Sequence, residues 1–306
     1  MKHITRLWPT DQSRKPSLVP AVLNWAAGTL QNGTGGKTRM NRVYCCFPGG
    51  KHKALTMSYD DGRLEDRRLI EIFNRNGIRG TFHLNSGLWE GDARRIQPEE
   101  IAELYRGHEV ACHTATHPTI ARCPISEVAD EIFRDRAALE ARTGYPVRGL
   151  SYPNGSVTEE IERLLPMLGI RYSRVVGSSD GFALPENPYR WMATCHHNHR
   201  LLELGEQFRG LFKKQYLYLM YVWGHSYEFG DQGNWALMEE FCARMGGRDD
   251  IWFCTNIELM DCVDDFRRLQ FAADNGFVYN PSARACWLRV NDGEPVCVAA
   301  GETKRL

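Results

Sequence analysis

The amino-acid sequence predicts an α/β protein assembled from parallel β-α units. Two features carry that expectation. Short β-like runs alternate with amphipathic helical stretches of ordinary length over most of the chain. The polar residues gather where strands end and the chain turns, which is where such folds keep their chemistry. The residues alone leave open whether the units close into a barrel or form a doubly wound sheet.

Residues 54–58 form the first β-like run, followed by a helical stretch with Leu64, Leu69, Ile72 and Phe73 that Gly77 ends. Residues 80–85 read as the next strand. Pro98-Glu99-Glu100 opens a helix with proline and acids in its first turn, as the dipole favours. A third strand at 108–113 precedes a long amphipathic helix over 126–142. Ser156 and Glu159 have capping-box spacing ahead of Ile161, Leu164, Leu165 and Leu168. Further strands are expected at 189–194, 216–223 and 251–255, and helices at 201–212, 235–245 and 257–272. Alternation over 285–298 around Asn291-Asp292-Gly293 is a hairpin signal.

With 306 residues, one domain of about 200–250 residues plus terminal additions fits better than two equal domains. Residues 1–40 are rich in Gly, Asn, Thr, Pro and basic residues, and 31–37 reads as a linker. They are expected to be a flexible N-terminal extension, either a pre-sequence or an upstream extension of the reading frame. The β/α domain then covers 41–275, and 276–306 a small C-terminal β-hairpin appendage. Hydrophobic residues make up 42% and charged residues 25%, a balance that supports a real core. Lys+Arg and Asp+Glu both number 38, which argues against long-range attraction to nucleic acid or anionic lipid. Neither is expected as a partner. No apolar run approaches the roughly 18–20 residues that span a bilayer. Pro20 and Asn24 interrupt a weak signal-like core near the N-terminus. The ten cysteines show no CxxC pair and sit mostly in apolar stretches. Buried free thiols in a reducing cytosol are the plain reading, hence a cytoplasmic location.

Four elements carry candidate chemistry. Ser58-Tyr59-Asp60-Asp61-Gly62 follows the first strand, and its adjacent carboxylates repel unless a cation binds beside them; an Asp N-cap before a turn glycine is the plainer alternative. His113 and His117, at i and i+4, can face one another across a helical turn and share an ion. One carboxylate and two imidazoles make a set of three ligands with positions left for water and substrate. Ser151-Tyr152-Pro153-Asn154-Gly155 can aim a backbone N–H at an oxyanion, or be an ordinary β-to-α loop. Trp223-Gly224-His225, ending the most apolar strand, places a histidine where proton transfer suits it better than packing.

In combination these motifs resemble the polysaccharide deacetylase superfamily (carbohydrate esterase family four, the NodB-homology domain) over residues from about 53 to 260. The S/T-[FY]-D-D-G turn and the H-[ST]-x-x-H motif are the specific matches, and the R-x-P-[YF]-G loop is degraded. The resemblance implies a distorted, incomplete (β/α) barrel with its site at the carboxyl ends of the strands. It implies that Asp60 is the general base, that Asp61, His113 and His117 bind one divalent metal, that the Asn154 amide helps hold the oxyanion, and that His225 is the general acid. Zinc suits such ligands; cobalt, nickel, manganese and iron are chemically allowed. Removal of an acetyl group from a sugar is the activity implied, N-acetyl ahead of O-acetyl. A same-fold hydrolase of a cyclic imide or other non-sugar C–N bond, and a retired carbohydrate-binding protein, stand as alternatives. The family's loop arginine is Ser151 here, and its tryptophan-aspartate motif is replaced by a histidine cluster that includes His196, His197 and His199. Tyr152, Trp223 and His197 are candidate substrate contacts.

Overall fold

A computed structural model describes residues 40–306, so the expected N-terminal extension, up to residue 39, lies outside the described residues. After β1 (Val43–Cys46), four β-α units run in sequence. They are β2 (Lys53–Asp60) with α1 (Asp66–Arg75), β3 (Gly80–Leu84) with α2 (Ile101–Leu104), β4 (Glu109–Cys112) with α3 (Ile125–Thr143), and β5 (Gly149–Ser151) with α4 (Glu159–Leu164). Then come β6 (Tyr172–Val175), β7 (Trp191–Met192), β8 (Cys195–His196), α5 (Leu201–Arg209) and β9 (Tyr218–His225). Helices α6 (Tyr227–Gln232) and α7 (Trp235–Met245), strand β10 (Ile251–Phe253) and helix α8 (Asn256–Arg268) complete the main body.

Its sheet is parallel throughout and runs β7-β6-β5-β4-β3-β2-β9-β8, with β10 beside the first half of β2. Strands β7 and β8 occupy opposite ends of that path, yet only Ala193 and Thr194 separate them in sequence. Three peptide links reach at most about 10 Å. The sheet must therefore curl until its ends nearly meet, an incomplete barrel that the chain, not a hydrogen-bond ladder, closes.

Strand alternation sorts side chains between two cores. Leu55, Met57 and Tyr59 of β2 and Met220 and Val222 of β9 pack in the larger cluster with helix residues such as Leu69, Phe73 and Phe241. Ala54 of β2 and Leu219, Tyr221 and Trp223 of β9 turn the other way, into a cluster joined by Leu259 and Met260 of α8. The same inward parity carries Asp60, His83, His113, Ser151, Arg174 and His225 to the carboxyl end of the sheet. Asp60 is opposite both His83 and His225 in register.

The C-terminal segment adds β11 (Gln270–Phe271), β12 (Phe277–Tyr279), β13 (Cys286–Val290), β14 (Pro295–Val298) and β15 (Thr303–Arg305). The turn between β13 and β14 has Asn291 and Asp292 at φ 50° and 63°, the paired left-handed conformations of a type I′ turn. Strand β1 pairs with β13, and β11, β12 and β15 make a second small sheet, neither of which the hydrophobic pattern indicated. Among the described residues, no helix is long and apolar enough to cross a membrane.

Several expectations are corrected. Strand 189–194 is a 3-10 turn at Pro188–Arg190 followed by the two-residue β7. Strand β6 lay unassigned because Arg171 and Arg174 break its apolar pattern. Helix α4 is capped by Thr158, whose hydroxyl accepts from Ile161 N, while Ser156 Oγ accepts from Ala121 N. The true capping box starts α8, with Thr255 Oγ1 accepting from Glu258 N and the Glu258 carboxylate accepting from Thr255 N. Thr255→Ala is expected to cost about 0.5–2 kcal/mol, measured as a lower denaturant midpoint at unchanged slope; an unmoved midpoint would mean that packing alone sets the start of α8.

Candidate active site

Asp61, His113 and His117 each offer a ligand atom within 4.8 Å of the others. His113 Nε2 and His117 Nε2 lie 3.9 and 4.0 Å from Asp61 Oδ1, too far for hydrogen bonds. The histidines do not meet across a helical turn, as their spacing suggested. They sit on a loop in which Thr114 and His117 take φ of 62° and 61°, and their rings meet edge to face with centroids 4.7 Å apart. Asp61 itself has φ 81°. Such conformations cost about 1–3 kcal/mol each in non-glycine residues and persist only where surroundings enforce them.

Those surroundings are buried polar side chains. Asn85 Nδ2 donates to the His113 and Thr114 carbonyls at 2.7 and 3.0 Å. Asp135 of α3 accepts from His113 N and Ser86 N, and burial pushes its carboxyl up to about 7. Glu131, one turn earlier, accepts from the backbone and hydroxyl of Thr116. Asp61 is held by its N–H to the His83 carbonyl at 2.9 Å and by Arg95 Nη1 on its own carbonyl. His113 Nδ1 faces the Ser151 carbonyl at 2.9 Å, so that nitrogen carries the proton and Nε2 keeps its lone pair for a cation. The donor set and the fixed tautomer fit a divalent ion.

Asp60 is 2% exposed and makes three close contacts, Arg174 Nη2 on Oδ2, and Ser151 Oγ at 3.0 Å and His83 Nδ1 at 3.2 Å on Oδ1, with His113 Nε2 3.8 Å from Oδ2. Burial would raise its pKa, but Arg174, His113 and His83 hold the carboxyl well below the usual range. Arg174 therefore supplies the positive charge that Ser151 cannot. Its guanidinium also lies over the Trp223 ring, 4.3 Å from the centroid. Neither Arg174 nor His83 was recognised from sequence; the demand for a strand after α4 and the glycine at 169 was the available signal for the first.

His225 Nδ1 lies 3.2 Å from Glu228 Oε1, and His196 Nε2 and His197 Nε2 lie 3.1 and 3.0 Å from Oε2. Burial would raise Glu228, yet these imidazoles hold it far below the carboxylate range. An ionised carboxylate only accepts, so His225 carries its proton on Nδ1 and leaves Nε2 for exchange. Asn198 N donates to His196 Nδ1 at 3.2 Å, which puts that ring's proton on Nε2, facing Glu228. Of the three histidine–glutamate contacts only that of His225 has hydrogen-bond geometry, and His196, His197 and Glu228 offer a second set of ligand atoms within 4.8 Å of one another. Burial alone would lower His225, but Glu228, Asp60 and Asp61 raise it above 6.5. Glu228 also escaped recognition, although it follows His225 at i+3.

Asn154 sits at φ 57° with its side chain exposed, and its N–H has no backbone acceptor among the described residues. The candidate substrate contacts turn inward. Tyr152 is 1% exposed and donates to the Tyr189 carbonyl; Trp223 is 6% exposed and donates to the Gly177 carbonyl. His197 is fully buried, stacked on Phe229, with Nδ1 so near Gly224 that a Cβ there would sit 2.1 Å away. None of the three presents a face to a sugar; Trp223 instead packs on Arg174 and His197 on Glu228.

Residues 47–173 match the family model described as Polysaccharide deacetylase. A chitooligosaccharide deacetylase of Bradyrhizobium sp. (strain ANU 289) is 37% identical over 113 residues, covering 36% of this chain and 49% of that protein. A peptidoglycan-N-acetylglucosamine deacetylase of Listeria monocytogenes is 24% identical over 127 residues, covering 40% of this chain and 26% of that protein. The chain thus spans half or less of the length of these curated relatives. A solved structure, a putative polysaccharide deacetylase from Mycobacterium smegmatis, shares the fold with TM-score 0.55 and 18% identity, covering 79% of this chain and 95% of that one.

Arg174→Met removes one partner of a buried pair and is expected to cost about 3–5 kcal/mol at neutral pH. Asp60's depressed pKa contributes stability above its unfolded value, about 3.9, so the deficit should shrink as pH falls below that value and the lone carboxylate is protonated. Denaturation of both proteins at neutral and acid pH tests this; a pH-independent deficit would assign the loss to packing rather than charge.

Proposed function

We propose that this chain, a member of the polysaccharide deacetylase superfamily through residues 47–173, is a metal-dependent hydrolase that removes an acetyl group from a sugar or oligosaccharide, N-acetyl in preference to O-acetyl. One observation carries the reading. A three-ligand set is flanked by an ionised, arginine-paired carboxylate and by a histidine whose tautomer a second carboxylate selects. Hydrolysis of an amide needs those two functions, a base for water and an acid for the leaving nitrogen.

A divalent ion on Asp61, His113 and His117, zinc by ligand chemistry, would supply Lewis acidity towards water and the acetyl carbonyl. Asp60, buried and ionised, accepts the proton of the attacking water on Oδ2, the oxygen that also takes the Arg174 contact while Ser151 and His83 occupy Oδ1. The free N–H of Asn154 is available to the developing oxyanion. His225 Nε2 protonates the departing nitrogen, and Glu228 stabilises the imidazolium beforehand. The missing loop arginine had favoured a retired binding protein; Arg174 removes that motive, because the charge on Asp60 is compensated.

Acetate release from a panel of N- and O-acetylated sugars, by metal-stripped protein with and without Zn²⁺ or Co²⁺, tests the proposal. The expected result is metal-dependent release abolished in Asp60→Asn and His113→Ala. Stoichiometric metal binding without release from any sugar would favour a non-sugar C–N substrate, and no metal binding would end the hydrolase reading. Glu228→Gln removes the charge that raises His225. It is expected to cut kcat about 10-fold or more with little change in KM, and to move the alkaline limb of the kcat–pH profile to lower pH. An unmoved limb would separate Glu228 from proton transfer.

A further inference from the structure

The loop that follows β3 folds back on the loop that follows β2, and a single antiparallel bridge joins them at Arg63 and Arg95. Residues directly opposite in such a pair share a face, with Cβ atoms about 4.5–5.5 Å apart, and like charges there repel. The carboxylate that bridges them is Asp92, which meets Arg63 Nη1 at 2.8 Å, Arg94 Nε at 3.1 Å and Arg95 Nε at 3.5 Å. Three guanidinium groups share that carboxylate and the Asp61 carboxylate also acts on Arg95, which leaves one positive charge over, in a chain whose net charge is zero. Water dilutes little of that excess at Arg63 and Arg95, which are 16% and 12% exposed, against 77% for Arg94.

Both partly buried arginines adjoin the catalytic groups. Arg95 Nη1 donates to the Asp61 carbonyl and to Asn85 Oδ1, while its Nε is buried without a hydrogen-bond acceptor. The Arg63 guanidinium lies over the Tyr227 ring, 5.5 Å from its centroid, and that ring is 5.2 Å from the His225 ring. Pinning the two loops together needs hydrogen-bond donors, which neutral side chains provide; it does not need two opposed cations.

We infer that Arg63 and Arg95 form an anion-recognition rim, so that this enzyme selects acetylated sugars bearing a carboxylate, phosphate or sulfate over neutral ones. The inference rests on the deacetylase reading and names its substrate class. Guanidinium forks match such oxyanions in a bidentate geometry that ammonium groups do not reproduce. A substrate anion on this rim relieves the repulsion between the opposed arginines, which an uncharged sugar does not.

The test compares kcat/KM of metal-loaded protein on N-acetylglucosamine oligosaccharides with its values on N-acetylmuramic acid, N-acetylglucosamine 6-phosphate and N-acetylglucosamine 6-sulfate. At least one anionic sugar is expected to exceed the neutral one by about 10-fold or more, mainly through KM, and the excess should fall between about 0.05 and 0.5 M NaCl. Which anion leads identifies the group recognised. Arg63→Gln should bring the ratio towards one, and Arg63→Lys should retain only its salt-sensitive part; thermal melts check that both variants fold. Equal kcat/KM for neutral and anionic sugars would overturn the inference and leave the deacetylase reading standing. If no sugar is turned over, that reading fails, and calorimetric binding of glucosamine 6-phosphate against glucosamine decides the rim separately. Tighter binding of the phosphate by wild type and not by Arg63→Gln supports the rim, and equal binding overturns it.

Discussion

An ionised carboxylate buried at the end of β2 is the constraint around which the molecule is arranged. Asp60 is 2% exposed, and a lone charge in such a place is worth several kcal/mol of destabilisation. Its compensation comes from three different strands: His83 on β3, Ser151 on β5 and Arg174 on β6. These contacts require the sheet to curl, because a flat sheet would hold β6 several strand spacings from β2. The shape of the barrel and the ionisation of Asp60 are thus one requirement met twice, once by chain connectivity and once by charge.

Around this pair the fold concentrates its strain. Asp61, Thr114, His117 and Asn154 all take left-handed backbone conformations, and all lie at the carboxyl ends of strands. The side chains that hold the first three are buried and polar, including Asn85, Asp135 and Glu131. Such groups are stable inside a protein only when their hydrogen bonds are made, so each one locks a loop while satisfying itself. Ligand atoms fixed this way remain apart by about 4 Å rather than collapsing into hydrogen bonds.

Glu228 performs on the other flank what Arg174 performs for Asp60. Three imidazoles converge on it, and it selects the tautomer of the one that borders the site. The cluster explains the glycine at 224: His197 packs against its Cα, where a side chain would displace the ring. Trp223 and His197, expected to meet substrate, instead pack against Arg174 and Glu228, and Tyr152 is buried on the Tyr189 carbonyl.

The sequence by itself determined the β-α order, most strands and helices of the main body and the C-terminal hairpin turn, and it singled out Asp60, Asp61, His113, His117, Asn154 and His225 as candidates. Those were legible because hydrophobic periodicity is local and because a carboxylate pair or spaced histidines at a strand end are conspicuous within a few residues. Strand β6 was not legible, since Arg174 within it and Arg171 just before it disguise a strand whose burial depends on a distant carboxylate. Only the tertiary structure decided that β1 pairs with β13, that Arg174 takes the place of an arginine at Ser151, that Glu228 governs His225, and that Arg63 and Arg95 stand opposed at the rim. Each of those is a meeting of side chains from separate strands or loops. Which groups meet is set by sheet order, register and the inward parity of each strand, and none of these is written in the neighbours of any one residue.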